Sequence, residues 1–168
     1  MSDYIRTTRD CSVNELRPEL LQALQNYFQQ HAIGNLQSDI ALCCETVSRK
    51  KNAGKTPSWM DGRPDTTIST GMVLTSKWLI WAMHGDQTGT QIHAASLNEI
   101  QVEFYTPLLS KDAGLRIVGF ISEKNTRVRG YIGMENNQEA REFCEEVQQA
   151  IFKANPPVKS DLFKWLGR

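Results

Sequence analysis

Between Ser38 and Gly133 the chain carries seven strand-like runs in succession, with no helical run between them. Residues 40–47 lead into Arg49, Lys50 and Lys51. Residues 67–75 and 77–84 are separated by a tight turn near Ser76, and Gly85-Asp86-Gln87-Thr88-Gly89 is a hairpin loop leading into residues 91–95. Ile100, Val102 and Phe104 then alternate with Gln101, Glu103 and Tyr105, the period of two of a half-buried strand. Residues 115–121 and 127–133 form a last pair around Glu123-Lys124-Asn125-Thr126. Short antiparallel strands so closely spaced predict a small barrel or an orthogonal sandwich, whose edges and open end need covering.

Two helices flank this run. Leu16, Leu20, Leu24, Tyr27 and Phe28 recur at helical spacing, with Pro18 fit for the first turn and Gly34-Asn35 as a stop. The polar stretch before this helix, to about Asn14, is expected to be loose. After the last strand, Asn136 or Asn137 caps a second helix, with Glu139 and Glu142 where the helix dipole favours negative charge. Its apolar face is Ala140, Phe143, Cys144, Val147, Ala150 and Ile151, and Pro156-Pro157 ends it. The expected organisation is an N-terminal extension over 1–37, a β domain with a closing helix over 38–155, and a tail over 156–168 carrying Leu162, Phe163, Trp165 and Leu166.

Four strands, three strands and a closing helix is the order of the pleckstrin-homology (PH) superfold. Val73-Leu74-Thr75-Ser76-Lys77-Trp78-Leu79-Ile80-Trp81 resembles the second-to-third-strand hairpin of bacterial PH-like domains. Ser96-Leu97-Asn98-Glu99-Ile100 resembles the approach to their fifth strand, and Glu139-Ala140-Arg141-Glu142-Phe143 the start of their closing helix. The resemblance spans residues 38–155 and implies a seven-stranded antiparallel barrel closed by a helix, a fold used mainly for binding. It also implies where an anionic headgroup would sit, on bases around the loop after the first strand. Arg49, Lys50, Lys51, Lys55 and Arg63 occupy that region against Asp61, a local charge of 5 − 1 = +4, and Lys124 follows in the sixth-to-seventh-strand loop. Trp59 and Met60 lie among these charges. The strand over 67–75 has no Lys or Arg, unlike phosphate-binding members. The basic loop is therefore either an anion-binding patch or a solvated connection.

Composition excludes several roles. Nineteen basic residues balance nineteen acidic ones, so no global positive field exists to hold nucleic acid. Arg129-Gly130-Tyr131 begins like an RNA-recognition signature, but Ile132 stands where a small residue is needed. No apolar run reaches the roughly 18–20 residues of a membrane helix, and the first residues lack the apolar core of a signal peptide, which makes the cytoplasm the expected location. Cys11, Cys43, Cys44 and Cys144 are then expected as free thiols, with Cys43 and Cys44 on opposite faces of one strand. Trp78 and Trp81 also face opposite sides, one in the core and the other exposed or under the first helix. His84 and His93 are expected across a hairpin from each other, without a third metal ligand. No nucleophile motif, phosphate loop or cofactor motif is present, so the chain is expected to be no enzyme and to need no cofactor.

The sequence thus points to a non-catalytic PH-like binding module acting through a protein partner or self-association. The alternative is weak peripheral binding to anionic lipid or phosphorylated headgroups through Arg49, Lys50, Lys51, Lys55, Arg63 and Lys124. The N-terminal helix and the tail either pack on the barrel or contact another molecule.

Overall fold

Within the polar opening stretch, Tyr4–Asp10 is a strand. A computed structural model of the chain, which describes residues 4–51, 65–107, 112–121 and 127–156, places β1 at Tyr4–Asp10, antiparallel to β2 (Leu42–Lys50) from Tyr4 opposite Lys50 to Asp10 opposite Cys44. The expectation of a loose N-terminus is corrected. The residues that β1 turns inward are Tyr4, Arg6 and Thr8, which carry no continuous apolar signal. They are held by specific partners instead: the Tyr4 hydroxyl donates to the Asp65 carbonyl at 3.2 Å, Arg6 pairs with Asp112, and Thr8 Oγ1 lies 3.0 Å from Thr46 Oγ1.

The chain continues through β3 (Thr67–Leu74), β4 (Trp78–Gly85) and β5 (Gly89–Ser96), completing a five-stranded antiparallel sheet in the order β1-β2-β3-β4-β5. A second antiparallel sheet contains β6 (Gln101–Tyr105), β7 (Gly114–Ile121) and β8 (Arg127–Gly133). The seven strands expected after residue 38 are β2–β8, β1 adds an eighth before them, and the described strands form two sheets without a closed barrel. Between Val118 and Phe120 the β7–β8 register shifts at Gly119, whose φ is +96°. A Cβ there would lie 2.7 Å from the Glu99 carbonyl oxygen, so the bulge needs a glycine.

Two helices cover this framework on different sides. α1 (Pro18–His31) starts with Pro18 in its first turn and ends at Ala32, in the left-handed conformation with φ 48°. It buries Leu20, Leu24 and Phe28 with Cys43, Val73, Ile80 and Ala82 on the outer face of the five-stranded sheet. Gly71 leaves room for the side chain that precedes α1, since a Cβ there would sit 3.1 Å from Leu16 Cδ2. α2 (Gln138–Ala154) is capped by Asn137, whose side chain accepts the Ala140 N–H at 3.0 Å. Its Ala140, Phe143, Cys144 and Val147 join Met72, Leu79, Trp81, Leu115 and Ile117 in the core between the two sheets. Cys43 and Cys44 therefore enter different cores, as alternation requires, and Trp81 is in the inner core while Trp78 packs beside α1.

The outer edge of β1 is covered at Thr8. The Thr8 N–H donates to Glu135 Oε2 at 3.2 Å, Asn137 Nδ2 donates to the Thr8 carbonyl at 2.9 Å, and the Glu135 N–H donates to Thr8 Oγ1 at 2.8 Å. The connection into α2 thus takes up backbone groups that would otherwise template another strand. Among the described residues no helix is long and apolar enough to cross a membrane.

Candidate functional site

β1 begins where β2 ends, and this corner carries the described members of the predicted basic patch. Strand alternation divides them. Arg49 lies opposite Ile5 and is exposed, whereas Lys50 lies opposite Tyr4 and is half-buried, on the other face. Lys51 is exposed and lines a cleft of about 480 Å³ with Tyr4, Ile5, Arg6, Thr106, Glu135 and Asn136 among its walls. Lys55, Arg63 and Lys124 lie outside the described residues, as do Trp59, Met60 and the tail's Leu162, Phe163, Trp165 and Leu166.

The cleft's own cation is Arg6, which composition alone did not single out. Its side chain is 9% exposed, and Nη1 lies 2.5 Å from Asp112 Oδ1. The guanidinium carbon stands 5.8 Å from the centre of the Tyr4 ring. Beyond Arg6 a second cleft, of about 310 Å³, is bounded by Ser48, Thr70, Met83, Tyr131 and Gly133. The Tyr131 hydroxyl donates to the Asp112 carbonyl at 2.7 Å, and burial raises its pKa above the usual tyrosine value. Arg6 and Asp112 offset each other's charge, so positive potential at this corner rests on the flanking bases. The one signal for Arg6 in the sequence was its position between Tyr4 and Thr8 at period two.

Neighbouring acids close turns. Asp65 accepts the N–H groups of Gln87 and Thr88 at 2.7 and 3.0 Å and the Thr88 hydroxyl at 2.7 Å. Asp86 accepts from Thr66, whose hydroxyl holds its carboxyl below the usual range. His84 and His93 are not partners across the hairpin: His84 lies opposite Thr90 and meets its hydroxyl at 2.7 Å, while His93 lies opposite Trp81 on the other face. Among the described residues no three His, Cys, Asp or Glu side chains are grouped to hold a metal.

A second concave region runs beside α2. A groove of about 600 Å³ is lined by Leu42, Leu74, Thr75, Glu146, Ala150 and Ala154. On the helix's other flank, Glu145, Gln148, Gln149, Phe152 and Lys153 bound a concavity of about 460 Å³. Phe152 is 66% exposed at this flank. Phe152 stands on the solvent face of α2 among Glu145, Gln148 and Gln149, away from the face that Phe143 and Val147 commit to the core.

Comparison with protein-family models, with curated proteins and with solved structures gives no match.

Proposed function

We propose that this chain is a non-catalytic PH-like binding module that acts through protein contacts, using the surface beside α2. The observation that carries the reading is Phe152, exposed in the wall of one concavity on a helix whose other face is already committed to the core. An exposed aromatic ringed by Glu145, Gln148, Gln149 and Lys153, with a more apolar groove on the helix's other flank, has the make-up of an interface anchor. The covering of β1 at Thr8 disfavours strand addition across the middle of that edge. The PH-like part of the reading is supported by the order of the elements, consecutive hairpins followed by a helix packed between two sheets. Asp112 is engaged by Arg6, Asp65 by turn N–H groups and Glu135 by the Thr8 N–H, which favours structural roles for these acids over catalysis.

The test is capture of a partner, or self-association by light scattering, with the wild-type chain and Phe152→Glu. Association that persists at physiological salt and is lost in Phe152→Glu supports the reading. A chain that neither self-associates nor captures a partner overturns it.

Ile5 favours a second reading, peripheral contact with anionic lipid. It is 59% exposed, opposite Arg49 and beside Lys51 at the cleft, so an apolar side chain stands between two exposed bases. Sedimentation with anionic but not neutral vesicles, weakened by salt and by Arg49→Glu with Lys51→Glu, would establish this reading. Equal sedimentation of the double variant would remove it.

A further inference from the structure

We propose that Cys11 and Cys43 are a peroxide-responsive thiol pair that closes to a reversible disulfide, locking the start of the α1 layer to β2. Cys11 follows the last residue of β1, and its N–H donates to the Cys43 carbonyl at 3.2 Å, so the two continue the β1–β2 register as directly opposed residues. Their sulfurs lie 3.6 Å apart. Opposed antiparallel residues have Cα separations of about 4.5–5.5 Å, within the roughly 4.4–6.8 Å that a disulfide spans. Closure to a bond of about 2.05 Å therefore asks for side-chain rotation rather than movement of the strands.

The two thiols have different surroundings. Cys11 is half-exposed at the end of the strand, whereas Cys43 is buried in the core beneath α1. The hydrogen bond shared with Cys43 holds the Cys11 thiol below its ordinary pKa, with Arg9 acting in the same direction and burial against it. Cys43 is pushed up by the same hydrogen bond and by burial. Cys11 is thus the nucleophile and Cys43 the resolving thiol. Cys44 enters the other core, and burial raises its pKa. Cys144, also in that core, is pushed up to about 11.

The chemistry balances with hydrogen peroxide as oxidant. The Cys11 thiolate attacks one peroxide oxygen, the O–O bond breaks, and the departing hydroxide takes a proton to become water, leaving Cys11 as a sulfenic acid. The Cys43 sulfur then attacks the Cys11 sulfur; the S–S bond forms, the S–O bond breaks, and the leaving hydroxide departs as a second water with the Cys43 proton. Two thiols and one peroxide give one disulfide and two waters, and a dithiol reductant reverses the change.

The test treats the full chain with hydrogen peroxide, blocks remaining thiols, and digests it after glutamate. Cleavage at Glu15, Glu19 and Glu45 puts Cys11 in the peptide ending at Glu15 and Cys43 with Cys44 in residues 20–45. The expected product is those two peptides joined within one chain, lighter by two hydrogens, separated by dithiothreitol and still formed in Cys44→Ser. In Cys43→Ser the expected product is Cys11 trapped as a dimedone adduct. Joining through Cys44, joining only between chains, or Cys11 oxidised to sulfinic acid while Cys43 is recovered as a blocked thiol would each overturn the proposal.

Discussion

Arg9 holds Glu45 through two nitrogens, Nε at 3.1 Å and Nη2 at 2.9 Å from Oε2, while Glu45 Oε1 accepts the backbone N–H of Arg17 at 3.1 Å. One carboxylate therefore ties β1 to β2 and satisfies a donor at the start of α1. Glu45 is 4% exposed, but both arginine side chains reach solvent, so their guanidinium groups regain water if the carboxylate is removed.

Glu45→Ala is expected to lower stability by about 1–3 kcal/mol, chiefly by orphaning the Arg17 N–H and the start of α1. Glu45→Gln keeps an acceptor and is expected to cost less. Urea denaturation of the three proteins measures the order, and an alanine variant as stable as the glutamine variant would contradict it.

Acid should weaken the fold through carboxylates in turns. Glu15 is held below the usual range by the Ser12 N–H and hydroxyl, Asp39 by the Asn35 N–H and the Ser38 hydroxyl, and Asp86 by the Thr66 hydroxyl and the Thr66 and Thr67 N–H groups. Their stabilisation is complete above the unfolded carboxylate values of about 4 and is lost as pH falls through the depressed folded values. Asp10 has the opposite sign, raised by desolvation and then by Glu139 and Glu142 of α2. Its charge disfavours the fold once pH passes its folded value. Asp10→Asn is therefore expected to be more stable at pH 7 by a few tenths of a kcal/mol, the side chain being largely solvated. The gap should close below about pH 3, where both side chains are neutral. Denaturant midpoints at the two pH values check the sign.

Gly119 combines a positive φ with a carbonyl in the place of a side chain. Gly119→Ala is expected to cost about 2–3 kcal/mol, as the β7 bulge either strains or shifts register. The readout is a lower urea midpoint with an unchanged slope; an unchanged midpoint would show that the bulge accommodates a Cβ.

Most elements were legible because their apolar residues keep the period of their backbone. Val102 and Phe104 mark β6 at period two; Leu20, Leu24 and Phe28 mark α1 at period 3.6; and Asn137 signals the start of α2 through its cap. β1 was not legible, because Arg6 and Thr8 become inward residues only once Asp112, Thr46 and Glu135 are beside them. The candidate sites divide in the same way. The bases of the patch could be found by charge, but Arg49 and Lys50 separate onto opposite faces when β2 pairs with β1.

Local pattern is carried by neighbours in the chain, so the sequence alone determined the strands after residue 38, both helices and the separation of Cys43 from Cys44. β1 in the large sheet, the Arg6–Asp112 pair and the meeting of Cys11 with Cys43 depend on residues that are distant in sequence. Their positions follow from strand register, which pairing between distant strands sets, and only the tertiary structure decided them.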